Sequence, residues 1–87
     1  MYRIQYTERF HKQLKKMDPS VQKLILKWIK TNLYACEDPR LHGKALTANL
    51  SGYWRYRISD YRMIAEICDE ALVIIAISVS HRRDVYK

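Results

Sequence analysis

Residues 53–68, Tyr53-Trp54-Arg55-Tyr56-Arg57-Ile58-Ser59-Asp60-Tyr61-Arg62-Met63-Ile64-Ala65-Glu66-Ile67-Cys68, read as two strands joined by a two-residue turn. Successive side chains of a strand point to opposite faces. In the first run Trp54, Tyr56 and Ile58 share one parity, and Tyr53, Arg55 and Arg57 share the other. In the second run Met63, Ala65 and Ile67 mark the apolar face, so Arg62 points away from it. Ser59-Asp60 has the length of a tight hairpin turn. Asp69-Glu70 then turns the chain into Leu72 to Val79, an almost wholly apolar run expected of a central strand covered on both faces.

Working outward from that hairpin, Tyr2 to Tyr6 alternates and reads as a further strand. Thr7 can cap a helix whose inner stripe is Phe10, Leu14 and Met17. Asp18-Pro19 restarts the helix, with Asp as N-cap and Pro at the first helical position. Val21, Leu24, Ile25, Trp28, Ile29 and Leu33 then keep helical spacing. Ala35 to Ser51 reads as a loop, with Lys44-Ala45-Leu46 as a short turn. The order β-α-α-β-β-β predicts an α+β fold. A helical hairpin packs on one face of a mostly antiparallel four-stranded sheet, and Trp28, Trp54 and Tyr56 belong to the core.

With 87 residues the chain makes one small domain, residues 1–87. Apolar residues at 48% suffice for a packed interior, and two Gly and two Pro argue against disorder. Sixteen basic and nine acidic side chains leave a net charge of +7, which suits an acidic partner, nucleic acid first among them. No stretch approaches the roughly 20 apolar residues of a membrane span, and the N-terminus carries charges where a signal peptide needs an apolar run. Cys36 and Cys68 are expected as free thiols in a reducing cytoplasm. His11, His42 and His81 lie far apart and show no metal-ligand spacing, so no metal or cofactor is expected.

The face opposite the core gathers Arg55, Arg57 and Arg62 with few carboxylates. Like charges packed together cost free energy, and a phosphodiester with oxygens that accept bidentate hydrogen bonds would offset that cost. A solvated face with ion pairs to Asp60, Glu66 or the C-terminus is the alternative. Beyond the last strand come His81, Arg82, Arg83 and Tyr86. Histidine can move a proton near neutral pH, and a tyrosine becomes a base only where cations stabilise its phenolate. Docking of the tail by Val85 and Tyr86 is the competing reading. Tyr53, Tyr61 and Tyr86 could stack unpaired bases. Lys12, Lys15, Lys16, Lys23, Lys27 and Lys30 form a second basic surface, either solvated or tracking a phosphate backbone.

Several segments together resemble RelE-type toxins of bacterial type II toxin–antitoxin modules. They are Asp38-Pro39-Arg40-Leu41-His42-Gly43-Lys44-Ala45-Leu46, Trp54-Arg55-Tyr56-Arg57-Ile58, Asp60-Tyr61-Arg62 and His81-Arg82-Arg83-Asp84-Val85-Tyr86. The resemblance spans essentially the whole chain. It implies a ribosome-dependent, metal-independent endoribonuclease that cuts mRNA in the ribosomal A site. The messenger's 2′-hydroxyl attacks the adjacent phosphate and leaves a 2′,3′-cyclic phosphate. By that resemblance Arg55 and Arg57 hold the scissile phosphate, and Arg62 stabilises the transition-state charge. Arg82, or Arg83 in a shifted register, assists leaving-group departure, and Tyr86 deprotonates the 2′-hydroxyl, with His81 as rival or partner in acid–base work. Lys44, Tyr53, Tyr61 and Arg83 are the further expected RNA contacts. Some relatives carry lysines where this chain has Arg55 and Arg57, which favours electrostatic holding over proton donation here.

The same superfamily contains ParE-type toxins, which keep the fold but inhibit DNA gyrase, so fold alone does not decide function. A basic RNA-binding module without catalysis is a third class. The resemblance also implies partners: an acidic RelB-like antitoxin, the 70S ribosome with its mRNA, and promoter DNA reached only through the antitoxin.

Overall fold

The computed structural model describes residues 1–83. The elements run β1 (Arg3–Tyr6), α1 (Glu8–Lys15), α2 (Pro19–Asn32), β2 (Gly43–Ala45), β3 (Tyr53–Ile58), β4 (Tyr61–Cys68) and β5 (Val73–His81). The strands form one sheet in the order β1-β5-β4-β3-β2. β1 runs parallel to β5, and the other pairings are antiparallel. Both helices cover one face. Phe10 and Leu14 of α1 and Ile25 and Ile29 of α2, with Leu33 just beyond it, meet Tyr56, Ile58, Met63, Ala65, Ile74, Ala76 and Val79 of the sheet. Each such large apolar side chain contributes about 1.5–3 kcal/mol when fully buried. The α+β class expected from the pattern is the one observed.

The caps follow the sequence in part. Thr7 is the N-cap of α1, its Oγ accepting the Phe10 N–H at 3.1 Å. Pro19 opens α2 as expected, but the Asp18 side chain makes no capping hydrogen bond; its backbone carbonyl accepts from Val21 and Gln22 instead. Leu24, expected on the inner stripe, is exposed, and Ile25, Ile29 and Leu33 carry the burial.

Three features correct the sequence reading. The sheet has a fifth strand where a turn was expected, because Gly43–Ala45 pairs with Trp54–Tyr56 along the β3 edge. Gly43 permits that pairing: a Cβ there would stand 2.9 Å from the ring of Tyr56, closer than carbon atoms approach. The last strand does not stop at Val79 but continues through His81, since β4 extends far enough to pair Tyr61 with His81. It is also bulged: Ile64 faces Ser78 while Ala65 faces Ala76, leaving Ile77 as the extra residue. The bulge lets Ala76 and Val79, three apart, both point inward and be fully buried.

Past the end of β1, helix α1 takes over the free edge of β5. The Thr7 hydroxyl donates to the Ile77 carbonyl at 2.7 Å, and Gln13 Oε1 accepts the Val79 N–H at 2.8 Å. Backbone groups that would otherwise lack a partner are thereby satisfied, and the terminal part of β5 is held in place. That end carries Arg82 and Arg83.

Candidate nucleic-acid interface

On the face away from the helices, the register lays cations in two rows. Lys44 of β2 lies opposite Arg55 of β3, and the row continues through Ile64 and Ser78. One step toward the hairpin turn, Arg57 lies opposite Arg62, which in turn faces Ser80. Directly opposed residues place their Cβ atoms about 5 Å apart, so four cationic side chains share one patch. The turn enforces it. Ile58 pairs with Tyr61 across Ser59-Asp60, and Ser59 adopts φ 55°, the left-handed conformation such a tight connection requires. Arg57 is exposed, and Lys44 as well, while Arg55 and Arg62 are half-buried. No carboxylate forms an ion pair with Arg55 or Arg57 among the described residues.

Tyr53 sits at the other end of β3, opposite Glu66. It lines an open, mostly apolar cleft with Arg9, Leu50, Ile64, Ile77 and Ser78. Arg9 and Leu50 were not among the sequence candidates, and no local periodicity could have named them. Arg9 belongs to α1 and Leu50 to a single 3-10 turn, Ala48–Leu50.

Arg82 and Arg83 follow β5 at the hairpin-turn end. The Arg82 N–H donates to the Asp60 carbonyl at 2.7 Å, and both side chains are exposed. The structure thus brings Lys44, Arg55, Arg57, Arg62, Tyr53, Arg82 and Arg83 to one face and its rim. Tyr61 and His81 point to the helix side, although His81, at the strand end, also lines an open cleft with Asp60, Arg82 and Arg83. Both have the inward parity of Met63 and Val79, and Tyr61 packs against the core. Their rings meet edge-on, with centroids 5.2 Å apart, beside Gln13, Lys16 and Met17. Tyr86, the expected base, lies outside the described residues, as does Asp84-Val85. The helix lysines are exposed on the opposite side of the molecule, and Lys12 pairs with Glu8 at 3.3 Å.

Another arginine has a different task. Arg40, in the loop expected to be irregular, grips Asp69 with both terminal nitrogens at 3.1 and 2.7 Å. The Tyr2 hydroxyl donates to the same carboxylate at 2.6 Å. Hydrogen bonds from Arg40, then Tyr2, hold Asp69 below the usual carboxylate range, and the Asp69 bond in turn raises Tyr2. The guanidinium also lies 5.5 Å over the Trp54 ring. Next to it, the Pro39 carbonyl accepts the buried Tyr56 hydroxyl at 2.5 Å, and burial pushes that phenol well above its ordinary value. Cys36 and Cys68 are free and half-buried, and burial raises the Cys36 thiol. Among the described residues no group of three His, Cys, Asp or Glu side chains is placed to hold a metal, and no helix is long and apolar enough to cross a membrane.

The same arrangement of two helices on one sheet is shared with toxins of known structure. Residues 4–86 match the family described as ParE toxin of type II toxin-antitoxin system, parDE. Toxin RelG of Mycobacterium tuberculosis is 27% identical over 86 residues, covering 99% of this chain and 97% of that protein. The toxin–antitoxin complex RelBE2 from the same organism contains a chain that superposes with a TM-score of 0.85 at 26% identity, covering 93% of this chain and 91% of that one. The isolated RelE toxin of E. coli superposes at 0.73 and 26% identity, over 99% of this chain and 92% of that one. The chain belongs to the ParE toxin family of type II toxin–antitoxin systems and, within that superfamily, is a RelE-type toxin.

Proposed function

We propose that the chain is a ribosome-dependent mRNA endoribonuclease, a toxin that halts translation by cutting the codon in the A site. The observation that carries this reading is the register of the open face, where Lys44 meets Arg55 and Arg57 meets Arg62. Four cations on neighbouring strands fit a phosphodiester far better than they fit one another.

In this reading Arg55 and Arg57 hold the scissile phosphate and Arg62 stabilises the charge that grows on its oxygens. As a phenolate, Tyr86 takes the proton from the 2′-hydroxyl, whose oxygen then bonds to phosphorus. The bond to the 5′-oxygen breaks, Arg82 stabilises the charge left on that oxygen, which takes a proton from solvent, and the products are a 2′,3′-cyclic phosphate and a 5′-hydroxyl. The nucleophile belongs to the substrate, so the protein contributes position and charge, and the scheme calls for no metal or cofactor. Tyr53, Lys44 and Arg83 contact flanking nucleotides. Groups this weak as acids and bases depend on positioning, which the ribosome supplies by presenting an ordered codon. An acidic, RelB-like antitoxin would neutralise the +7 charge and occlude the face in the cytoplasm of the producing cell. Promoter DNA would be reached only through that antitoxin.

The matched family takes its description from parDE, which supports a second reading, inhibition of DNA gyrase. Primer extension on a defined mRNA in a translating bacterial extract separates the two. Cuts within the A-site codon are expected for the wild type. They should fall by about 10²–10³-fold for Arg62→Ala and by about 10²–10⁴-fold for Tyr86→Phe. Intact mRNA together with loss of gyrase supercoiling would replace the nuclease with the gyrase inhibitor.

A further inference from the structure

His81 ends β5 on the helix side of the sheet, in register with Tyr61 and half-buried beside its ring. Its Nδ1 accepts the backbone N–H of Arg83 at 3.2 Å. An imidazole that accepts at Nδ1 is the neutral tautomer with its proton on Nε2. One residue on, the Arg82 N–H is bound to the Asp60 carbonyl of the β3–β4 turn. The two hydrogen bonds tie the same short segment at consecutive residues. One fixes it to the hairpin that carries Arg57 and Arg62, and the other folds it back on His81.

We propose, building on the nuclease reading, that His81 is a positioning residue. It locks the turn at 81–83 so that Arg82 and Arg83 are presented at the rim of the arginine face, and it takes no part in proton transfer. Strand alternation supports this division of labour. Ser80 shares the face of Arg62 and Arg57, whereas His81 shares the face of Val79 and Met63. At the end of the strand His81 lines an open cleft with Asp60, Arg82 and Arg83, so its ring stands beside the segment it holds and on the opposite face from Arg57 and Arg62.

The test uses two variants of the full chain. In His81→Asn the amide oxygen can accept the N–H two residues on, as in an Asx turn, yet it cannot act as an acid or base. In His81→Leu both capacities are gone. His81→Asn is expected to retain cleavage in the translating extract within about threefold of wild type, whereas His81→Leu drops about tenfold, the worth of one lost hydrogen bond. Hydrogen exchange at the Arg83 amide should stay slow in His81→Asn and quicken in His81→Leu, and thermal melts verify that both variants fold. Losses of about 100-fold or more in both variants would make His81 a proton-transfer group and overturn the proposal. Full activity in both would overturn it too, since the lock would then serve nothing. A wild-type chain that leaves mRNA intact defeats the nuclease reading itself. The Arg83 exchange rates would still report whether the lock exists.

Discussion

Tyr56 and Arg57 are neighbours on β3, and their side chains go to opposite faces of the sheet. Tyr56 turns toward the helices, is fully buried and spends its hydroxyl on the Pro39 carbonyl. Arg57 turns the other way, is exposed and stands opposite Arg62. The covered face therefore lowers the free energy of the fold. The open face sets like charges side by side, an arrangement that costs free energy in itself. A sheet that tolerates such a cost on one side needs surplus on the other, and stability and function become separable residue by residue.

The sharpest way to break that separation is to truncate each neighbour. Tyr56→Ala is expected to cost about 3–5 kcal/mol in a denaturation experiment, from lost burial and the cavity left behind. Arg57→Ala is expected to move stability by no more than about 0.5 kcal/mol, yet to lower mRNA cleavage by about 10²-fold as one phosphate-holding donor disappears. A variant at Arg57 that melted as early as the one at Tyr56 would show that the open face is structural after all.

The same separation has a limit in what sequence can reveal. The hairpin was legible because period-two alternation and a two-residue turn fix both the strands and the face of Arg55, Arg57 and Arg62. The side of Tyr61 was legible as well, since it shares parity with Met63, although its phenol suggested a stacking role. The bulge at Ile77 was not legible: the run from Leu72 to Val79 is apolar at both parities, so a slip of phase leaves no trace. Three-residue β2 was hidden for another reason, because pairing with β3 and the close approach of Gly43 to Tyr56 define it, not its own pattern. The Arg40–Asp69–Tyr2 link joins positions 67 residues apart in sequence at its widest, and no local signal announces it.

That link and the buried phenol make pH a second, smaller probe of the covered side. Tyr56 and Tyr2 are raised in the folded chain, so their protonated forms are favoured by folding. Their contribution is complete below the ordinary tyrosine value of about 10 and is lost as pH climbs through the raised values. Asp69 is lowered, so its contribution is complete above about pH 4 and is lost as pH falls through the lowered value. The melting temperature should therefore fall at both extremes. Tyr56→Phe should flatten the alkaline limb, and Asp69→Asn the acid one. An alkaline limb unchanged in Tyr56→Phe would mean that other groups, lysines foremost, control the loss.

The gentlest probe compares two arginines by salt alone. A side chain that neutralises a phosphate of single-stranded RNA releases a counterion, and each such contact adds about 0.7 to the slope of log affinity against log salt. Arg57→Ala should reduce that slope by about 0.7 for a short single-stranded RNA, with little change in melting temperature. Arg40→Ala should leave the slope unchanged and lower the melting temperature, because its guanidinium is already committed to Asp69 and to the face of Trp54. Lys12, on the helix side and paired with Glu8, should likewise leave the slope alone. If Lys12→Ala flattened the slope as much as Arg57→Ala, RNA would be following the whole basic surface, and the open face would lose its claim to be the specific one.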